Sequence, residues 1–147
     1  MALFTQDTKV KCLQRAPLFA DLSRKELVEV ARLADDLEVD AGTVLAKEGD
    51  IGREFFVVVE GEVEFTRRGK RLRVDGPVDF FGEISLVEHT PRLATATAKT
   101  PLLFFVLGAR EFNTLMDDNP RIERKVLRAL GRRLLTLVQA EDHPNLA

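Results

Sequence analysis

Hydrophobic and polar positions divide the chain into a helical beginning, an alternating middle and a helical end. Within residues 1–34 apolar residues recur at helical spacing, and the stretch that starts at Ser23 carries a capping box, with Glu26 three positions later. A shorter helix is predicted upstream, ending near Ala16-Pro17 because proline disfavours helical geometry in the residue before it. The beginning of the chain is therefore predicted to form two helices.

From Asp35 onward apolar residues alternate with polar ones, which is typical of strands that bury one face. The stretch EFFVVVEGEVEF predicts a hairpin that turns at Glu60-Gly61, and RRGK at residues 67–70 predicts a second turn. The later stretches LATATA and PLLFFVL supply two further strands. About seven or eight short strands at this spacing are typical of a β-sandwich or barrel.

Helical spacing returns after Gly108. One helix is predicted with Phe112 and Leu115 on its apolar side, and another begins where Asn119 can cap and Pro120 fits the first helical position. In this last helix apolar residues follow one another at four-residue steps: Ile122, Val126, Leu130, Leu134 and Val138.

The order of these elements predicts an α+β fold in which strands and helices are segregated along the chain. We expect an antiparallel β-roll, similar to a jelly roll, of about eight strands flanked by N-terminal and C-terminal helices. Its predicted parts are a helical segment at residues 1–34, the β-roll at 35–107 and closing helices at 108–141, within a single domain of residues 1–147.

Composition narrows the class of protein. A chain of 147 residues, of which 45% are hydrophobic and 31% charged, is long enough for one domain with a real core. The formal charge of −2 argues against a dedicated nucleic-acid binder, whose domain is usually basic. Cys12 is the single cysteine, which suits a reducing compartment, and no apolar run approaches the roughly 20 residues of a membrane span. These observations predict a soluble, cytoplasmic protein.

The stretch FFGEISLVEHTPRLATATA, residues 80–98, combines residue types that suit a small anionic ligand. Gly82 allows a sharp turn and close approach of a ligand to the backbone. Arg92 can donate two parallel hydrogen bonds to phosphate oxygens, and Glu83, which a phosphate would repel, suits a sugar hydroxyl. Together they describe a nucleotide held by its sugar-phosphate end. The alternative is a surface turn with an exposed, unconnected Glu and Arg.

Residues 81–95, FGEISLVEHTPRLAT, closely resemble the phosphate-binding cassette of cyclic nucleotide-binding domains, as found in protein kinase A regulatory subunits and the catabolite activator protein. The family pattern is Phe-Gly-Glu, a hydrophobic residue, a small residue and Leu, followed by Pro-Arg, a variable residue, Ala and Thr. This chain matches it without a gap. The Gly-Asp-x-Gly turn at residues 49–52 is similar to a turn among the early strands of the family. Residues 81–95 are called the cassette below.

The resemblance implies a cyclic nucleotide as the ligand and assigns roles to residues of the cassette. Gly82 and Glu83 would meet the ribose, with Glu83 accepting from the 2′-hydroxyl, and Arg92 would hold the cyclic phosphate. The backbone N–H groups of Ser85 and Leu93 would assist it, and Ile84 would pack the pocket rather than specify the ligand. The implied ligand-binding set is Gly82, Glu83, Ile84, Ser85, Arg92, Leu93 and Ala94.

Two positions depart from the family pattern. Relatives that prefer cyclic GMP often carry Thr directly after the cassette Arg, where its hydroxyl contacts guanine. Leu93 cannot make this contact, so cyclic AMP is the expected ligand and cyclic GMP the second candidate. Arg53 stands where many relatives have an acidic or small polar residue that supports the cassette Arg, and a second cation there would change the local electrostatics, although Glu54 could offset it.

Catalysis, a metal and a cofactor are not expected. His89 and His143 are too few for the metal centre of a cupin-like enzyme, and no acid is placed to orient Ser85 and His89 as a nucleophilic pair. The last helix is basic, which indicates a solvated face by default and a partner or nucleic-acid surface as the alternative: Arg121, Arg124, Lys125, Arg128, Arg132 and Arg133.

The resemblance therefore implies a stand-alone cyclic AMP receptor that signals by repositioning its closing helices. Its output would pass through the last helix to a second copy or to an effector protein, and neither a membrane nor nucleic acid is an expected partner. Two alternatives remain open. One is an interaction module of the same fold that works without nucleotide, and the other is a regulator of the catabolite-activator type that lacks its DNA-binding domain.

Overall fold

The computed structural model describes residues 4–142, except for the side chains of Ser85, Val87, Leu137, Ala140, Glu141 and Asp142. The helices are α1 (Gln6–Arg15), α2 (Arg24–Leu33), α3 (Glu83–Glu88), α4 (Ala109–Asp118) and α5 (Pro120–Asp142), and a 3-10 turn covers Pro17–Phe19. The strands are β1 (Asp35–Val39), β2 (Val44–Ala46), β3 (Glu54–Glu60), β4 (Val63–Arg67), β5 (Lys70–Asp75), β6 (Phe80–Phe81), β7 (Thr95–Ala98) and β8 (Leu102–Gly108). His143 lies outside the described residues.

Two antiparallel sheets form the β-roll. The first has the strand order β1-β8-β3-β6, and the second has the order β2-β7-β4-β5. Within residues 4–142 this gives eight antiparallel strands with helices on either side of them in sequence. The predicted fold class is thus confirmed, whereas the division of the whole chain into one domain stays a prediction.

Strand β3 separates two hydrophobic cores. Phe55 and Val57 pack with residues of α1, α2, α4 and α5, whereas Phe56 and Val58 pack with residues of the second sheet. Side chains alternate across a strand, so a strand covered on both faces reads as a continuous apolar run. The run FFVVV therefore reflects a central strand, and β3 fixes the helices and the second sheet relative to each other.

The predicted hairpin at Glu60-Gly61 is wrong. Strand β3 pairs with β8 and β6, while β4 pairs with β5 and β7, so this turn carries the chain from one sheet to the other. The alternation of side chains sets which face of a strand is buried, but it does not set which strand lies beside it. The turn at residues 67–70 does form a hairpin between β4 and β5, with positive φ at Arg68 (52°) and Gly69 (78°).

The helix ends follow the predicted signals with one exception. The Ser23 hydroxyl accepts from the Glu26 N–H at 3.2 Å, and the Glu26 carboxylate accepts from the Ser23 N–H at 2.8 Å, which completes the capping box. Pro120 opens α5 as predicted. Asn119, however, donates its side-chain amide to the Leu115 carbonyl at 3.0 Å and so closes α4.

The apolar residues at four-residue steps along α5 are buried near the beginning of the helix and exposed near its end. Ile122 and Val126 are buried, but Leu134 is 63% exposed and Val138 is 46% exposed. Helix α5 packs against α4 and the 3-10 turn, and Ile122 and Val126 belong to the same hydrophobic core as residues of both elements. Four-residue spacing identifies one apolar side of a helix, but it does not show how far its neighbours extend along it.

Within residues 4–142, none of the helices has the length and apolar content needed to cross a bilayer. The same residues contain no group of three or more acidic, histidine or cysteine side chains arranged to hold a metal ion.

The turn between the sheets should be intolerant of any side chain at Gly61. Its φ is +97°, and a Cβ would overlap the Pro101 carbonyl and lie 2.9 Å from the Thr100 hydroxyl. Gly69 is a matched control, because its φ is +78° and a Cβ there would have no other atom within 4 Å. In urea unfolding we expect Gly69→Ala to cost about 1 kcal/mol and Gly61→Ala at least about twice as much. Equal losses would show that the close packing of this turn is unimportant.

Candidate functional site

A cavity of about 290 Å³ opens beside the cassette. The cassette lines it with Gly82, Glu83, Ile84, Arg92, Leu93 and Ala94. The structure thus brings the residues of the predicted ligand-binding set to one cavity, apart from Ser85, whose side chain lies outside the described part of the chain. The remaining wall includes residues that sequence reasoning did not assign to the site: Ala46, Phe65, Arg67, Leu72, Arg73 and Arg133.

Arg92 is a buried cation at the inner side of this cavity. Its residue is only 8% exposed, and its guanidinium donates to the Gly82 carbonyl at 3.1 Å and to the Glu54 carbonyl at 2.6 Å. Burial lowers the pKa of Arg92, while the carboxylates of Glu54 and Glu83 oppose this effect. An arginine remains protonated near neutral pH even so, because its ordinary pKa lies far above neutrality. The site therefore holds a positive charge whose described hydrogen bonds go to uncharged acceptors.

The Gly-Asp-x-Gly turn at residues 49–52 holds the backbone of Arg92. The N–H of Gly49 donates to the Arg92 carbonyl at 2.9 Å, and the N–H of Arg92 donates to the Asp50 carbonyl at 2.8 Å. Ile51 forms an isolated antiparallel bridge with Pro91. These contacts hold the backbone of Arg92, and thus the base of its side chain, in place. They come from a segment about forty residues earlier in the chain.

Gly82 leaves the space that the guanidinium of Arg92 occupies. Its φ is +96°, in the left-handed region, at the position directly before α3. A Cβ at Gly82 would lie 2.6 Å from the Glu54 carbonyl oxygen and 2.9 Å from Nη1 of Arg92. Both the backbone conformation and the space around it therefore require glycine.

Glu83 is a buried carboxylate on the cavity wall. The residue is 7% exposed and begins α3. Burial raises the pKa of Glu83, and the nearby charge of Asp75 raises it further. Arg133 is the strongest influence in the opposite direction, followed by the backbone N–H of Glu83 itself and by Arg73. The ionised form of this carboxylate thus depends on cations from two other elements.

A cluster of charges connects α5 to this wall. The Nη1 atom of Arg133 donates to the Phe80 carbonyl at 2.7 Å and lies 3.4 Å from a carboxylate oxygen of Glu83. The Nη2 atom of Arg133 lies 3.8 Å from Asp75, which also pairs with Nε of Arg73 at 3.1 Å. No continuous motif marks this cluster, because its members lie on β5, α3 and α5. The one signal in the sequence is the same-face spacing of Arg73 and Asp75 along a strand.

The outer rim of the cavity is apolar and accessible. Ile84 and Leu93 are each 52% exposed, and Leu72 of β5 is 57% exposed. Ile84 lies at the start of a short helix and lines the cavity with a half-exposed side chain, so its expected role in packing the pocket stays a prediction. Ala94 is half-buried against the core between the sheets. An exposed apolar rim around a charged interior suits a ligand with one charged end and one flat, apolar end.

Arg53 does not disturb the buried cation as the sequence suggested it could. It is exposed, and its backbone carbonyl accepts from the N–H of Ala109 at 2.6 Å. The charges that act on the pKa of Arg92 are those of Glu54 and Glu83. Arg53 is also absent from the cavity wall, so this departure from the family pattern lies at the surface.

The arrangement can hold an anion and a hydroxyl group at the same time. Arg92 supplies a charged donor with hydrogen-bonding capacity beyond its two carbonyl contacts, and Glu83 supplies a charged acceptor on the same cavity. These are complementary to a phosphate and to a sugar hydroxyl.

Comparison with known proteins agrees with this chemistry. The family model for the cyclic nucleotide-binding domain matches residues 36–119, which is more than half of the chain. The chain is 34% identical over 118 residues to a cyclic nucleotide-gated potassium channel of Rhizobium etli, covering 80% of this chain and 33% of the channel. It is 36% identical over 106 residues to a cAMP-dependent protein kinase regulatory subunit of Yarrowia lipolytica, covering 71% of this chain and 28% of that subunit.

Among solved structures, the chain is similar to the N-terminal domain of a transcriptional regulator from Streptomyces coelicolor A3(2), with a TM-score of 0.74 and 34% identity over 88% of this chain and 94% of that domain. The chain thus spans about a third or less of the two curated relatives and nearly all of this domain. The family is a regulatory, ligand-binding one rather than a catalytic one. This chain belongs to the cyclic nucleotide-binding domain family.

Proposed function

We propose that this chain is a receptor domain for cyclic AMP that has no catalytic activity of its own. The observation that carries the proposal is the buried Arg92 guanidinium, whose described hydrogen bonds end on two backbone carbonyls at a cavity of about 290 Å³. A buried cation whose hydrogen bonds end on uncharged acceptors is costly, and an anionic ligand would offset that cost. Cyclic nucleotides carry one negative charge on their phosphate.

The ribose would lie between Arg92 and Glu83. Glu83 accepts hydrogen bonds when ionised, and the 2′-hydroxyl of the ribose can donate one. The carboxylate lies next to the Gly82 turn, so the sugar could approach the backbone closely there. The backbone N–H groups of Ser85 and Leu93 would assist the phosphate, as the family resemblance implies.

The base would rest against the apolar rim. Leu72, Ile84 and Leu93 each expose about half of their surface beside the cavity, and a purine ring would cover part of it. Leu93 offers no side-chain hydroxyl to a guanine amino group. This favours cyclic AMP over cyclic GMP, and the name of the Yarrowia relative, a cAMP-dependent kinase subunit, supports the same ligand.

The output would pass through α5. This helix contributes Arg133 to the cavity wall, and among its described side chains several large apolar ones are exposed: Leu127, Leu134, Leu135 and Val138. The three similar proteins differ in kind, since one is a channel, one a kinase subunit and one a transcriptional regulator. A binding domain that occurs in such different proteins would act by changing its own contacts with the adjoining domain or protein. A second copy or an effector protein on α5 is the proposed recipient.

Native mass spectrometry of the chain with and without cyclic AMP distinguishes the candidate functions. A bound nucleotide, with or without a change in subunit number, is expected. A chain that never retains nucleotide, yet captures a protein partner through α5, would instead support the interaction module that works without nucleotide.

Arg92 should contribute more to affinity than any other side chain. Arg92→Ala removes the charged donor, and we expect about a hundredfold weaker binding of cyclic AMP, which corresponds to about 2–3 kcal/mol. Arg92→Lys keeps the charge but loses the paired geometry, so its loss should be intermediate. Isothermal calorimetry measures both, and Arg53→Ala, at an exposed arginine off the cavity, is the matched control and should change affinity less than about twofold. Equal binding by wild type and Arg92→Ala would overturn the proposed site.

Glu83 should recognise the ribose rather than the base. In the wild type we expect 2′-deoxy cyclic AMP to bind about tenfold more weakly than cyclic AMP, because a hydrogen bond to a charged acceptor is lost. In Glu83→Ala the two ligands should differ by less than about twofold. The two proteins and two ligands form a double-mutant cycle. Additive losses would mean that the carboxylate and the hydroxyl do not meet.

Leu93 should help to set base selectivity. Burying a guanine amino group without a partner costs about 1–3 kcal/mol, so the wild type should prefer cyclic AMP by about tenfold or more. Leu93→Thr should narrow this gap by improving cyclic GMP, while Leu93→Val, which matches threonine in shape but lacks the hydroxyl, should not. Competition binding of both nucleotides to the three proteins measures the gap. A wild type that binds both nucleotides equally would show that Leu93 does not control selectivity.

A further inference from the structure

The hairpin between β4 and β5 concentrates positive charge at the edge of the second sheet. Five of the seven residues at positions 67–73, RRGKRLR, are Lys or Arg, although the whole chain has a formal charge of −2. All seven are exposed, and they are called the basic hairpin below. Arg71 lies 3.8 Å from Glu64, and Arg73 pairs with Asp75 at 3.1 Å. The other three cations form no ion pair with any described residue: Arg67, Arg68 and Lys70.

Strand pairing adds to the repulsion within the basic hairpin. Arg67 lies directly opposite Lys70 across the turn, and like charges at opposite positions destabilise paired strands. The turn is held by the Glu48 carboxylate, which accepts from the backbone N–H of Arg68 at 3.0 Å. The fold therefore gains no stability from having this many cations at one turn.

Protection of a sheet edge explains only part of this pattern. Strand β5 is the outer strand of the second sheet, and natural proteins place cations on such strands to prevent pairing with other chains. Arg67, however, belongs to β4, which lies between β7 and β5, and Arg68 lies in the turn. Cations outside the edge strand are not needed for protection, so they indicate a surface that binds a negatively charged partner.

An exposed leucine lies among these cations. Arg71 and Arg73 each have a partner on β4, but Leu72 between them has none and is the extra residue of a β-bulge. Its exposed fraction is 57%. A large apolar side chain flanked by two arginines suits the boundary between the charged headgroups and the acyl chains of a membrane. The phosphate backbone of a nucleic acid offers no comparable apolar layer.

We propose that the basic hairpin binds the surface of a membrane that contains anionic lipids, with its cations at the headgroups and Leu72 in the apolar boundary beneath them. Each Lys or Arg close to an anionic leaflet strengthens binding by about fivefold, so several of them together give a reversible attachment. An exposed ion pair with a single protein partner contributes less. Attachment of this kind needs no helix that crosses the membrane.

The experiment measures how the chain sediments with lipid vesicles. The vesicles contain phosphatidylcholine alone or phosphatidylcholine and phosphatidylserine at about 2:1. No nucleotide is added, because Leu72 also lines the cavity. The test variant is Arg68→Gln/Lys70→Gln. Its matched control is Arg124→Gln/Arg128→Gln, which makes the same charge change at exposed positions of α5. A DNA duplex is titrated into the same proteins in parallel.

We expect the wild type to bind the anionic vesicles at least about tenfold more tightly than the neutral ones, and less tightly in high salt. Arg68→Gln/Lys70→Gln should bind the anionic vesicles about twentyfold more weakly, and the control less than about threefold more weakly. The test variant also removes the like-charge pair of Arg67 and Lys70, so its urea midpoint should not fall. Weaker binding at unchanged or higher stability separates a binding role from a structural one.

Leu72→Ser tests the apolar part of the proposal and should weaken binding to anionic vesicles by about fivefold. Several results would overturn the inference: a wild type that does not prefer anionic vesicles, equal losses in the two double variants, or full vesicle binding by Leu72→Ser. Binding to the duplex but not to the vesicles would also overturn it, in favour of a nucleic-acid surface.

Discussion

Burying the guanidinium of Arg92 requires acceptors and space, and the chain supplies both with its backbone. The acceptors are the carbonyls of Gly82 and of Glu54, the first residue of β3. The residue before α3 must therefore take a left-handed conformation. The space exists because Gly82 has no Cβ. The turn at residues 49–52 then holds the Arg92 backbone from the other side. Strand, turn and cassette are each constrained by this one side chain.

The position of α5 depends on a second set of contacts. Near its beginning Ile122 and Val126 are buried, and Lys125 bonds to the Glu26 carboxylate at 3.1 Å. Arg133 lies eight residues further on, which is about 12 Å along a helix. The end beyond Arg133 has exposed apolar side chains in place of a buried face. A rotation of α5 about its anchored beginning would thus break the contacts at Arg133 while leaving those at Ile122 in place.

Features that depend on neighbours in sequence could be predicted, and those that depend on distant partners could not. The capping box at Ser23, the β4–β5 turn and the fold class follow from local patterns, and the cassette residues are close together in sequence. The false hairpin at Glu60-Gly61 arose because alternation is equally compatible with either neighbouring strand. The buried extent of α5 depends on where α4 ends against it, which its own sequence does not encode.

The charged cluster around Asp75 could not be predicted for the same reason, because its members come from elements that are separate in sequence. Arg73, Asp75, Glu83 and Arg133 come from three elements, and fifty residues separate the last two. Glu83 is marked by the cassette pattern, but each of the other three alone reads as an ordinary surface charge. They come together only in the folded structure, in which β5 and α3 lie close to α5. There the neighbouring charges shift the pKa of the Glu83 carboxylate.

This cluster also bears on how a bound ligand could change the position of α5. A ligand shifts α5 between two positions only if it binds the domain more tightly in one of them, and a tenfold difference corresponds to about 1.4 kcal/mol. The phosphate alone would give little such difference, because Arg92 and its carbonyl partners lie on the cassette and β3 rather than on α5. The contact with the ribose would differ, since Arg133 of α5 lies 3.4 Å from Glu83 and is the strongest of the charges that lower the pKa of this carboxylate. In this domain the phosphate would therefore provide affinity, and the ribose would provide the coupling between the cavity and α5.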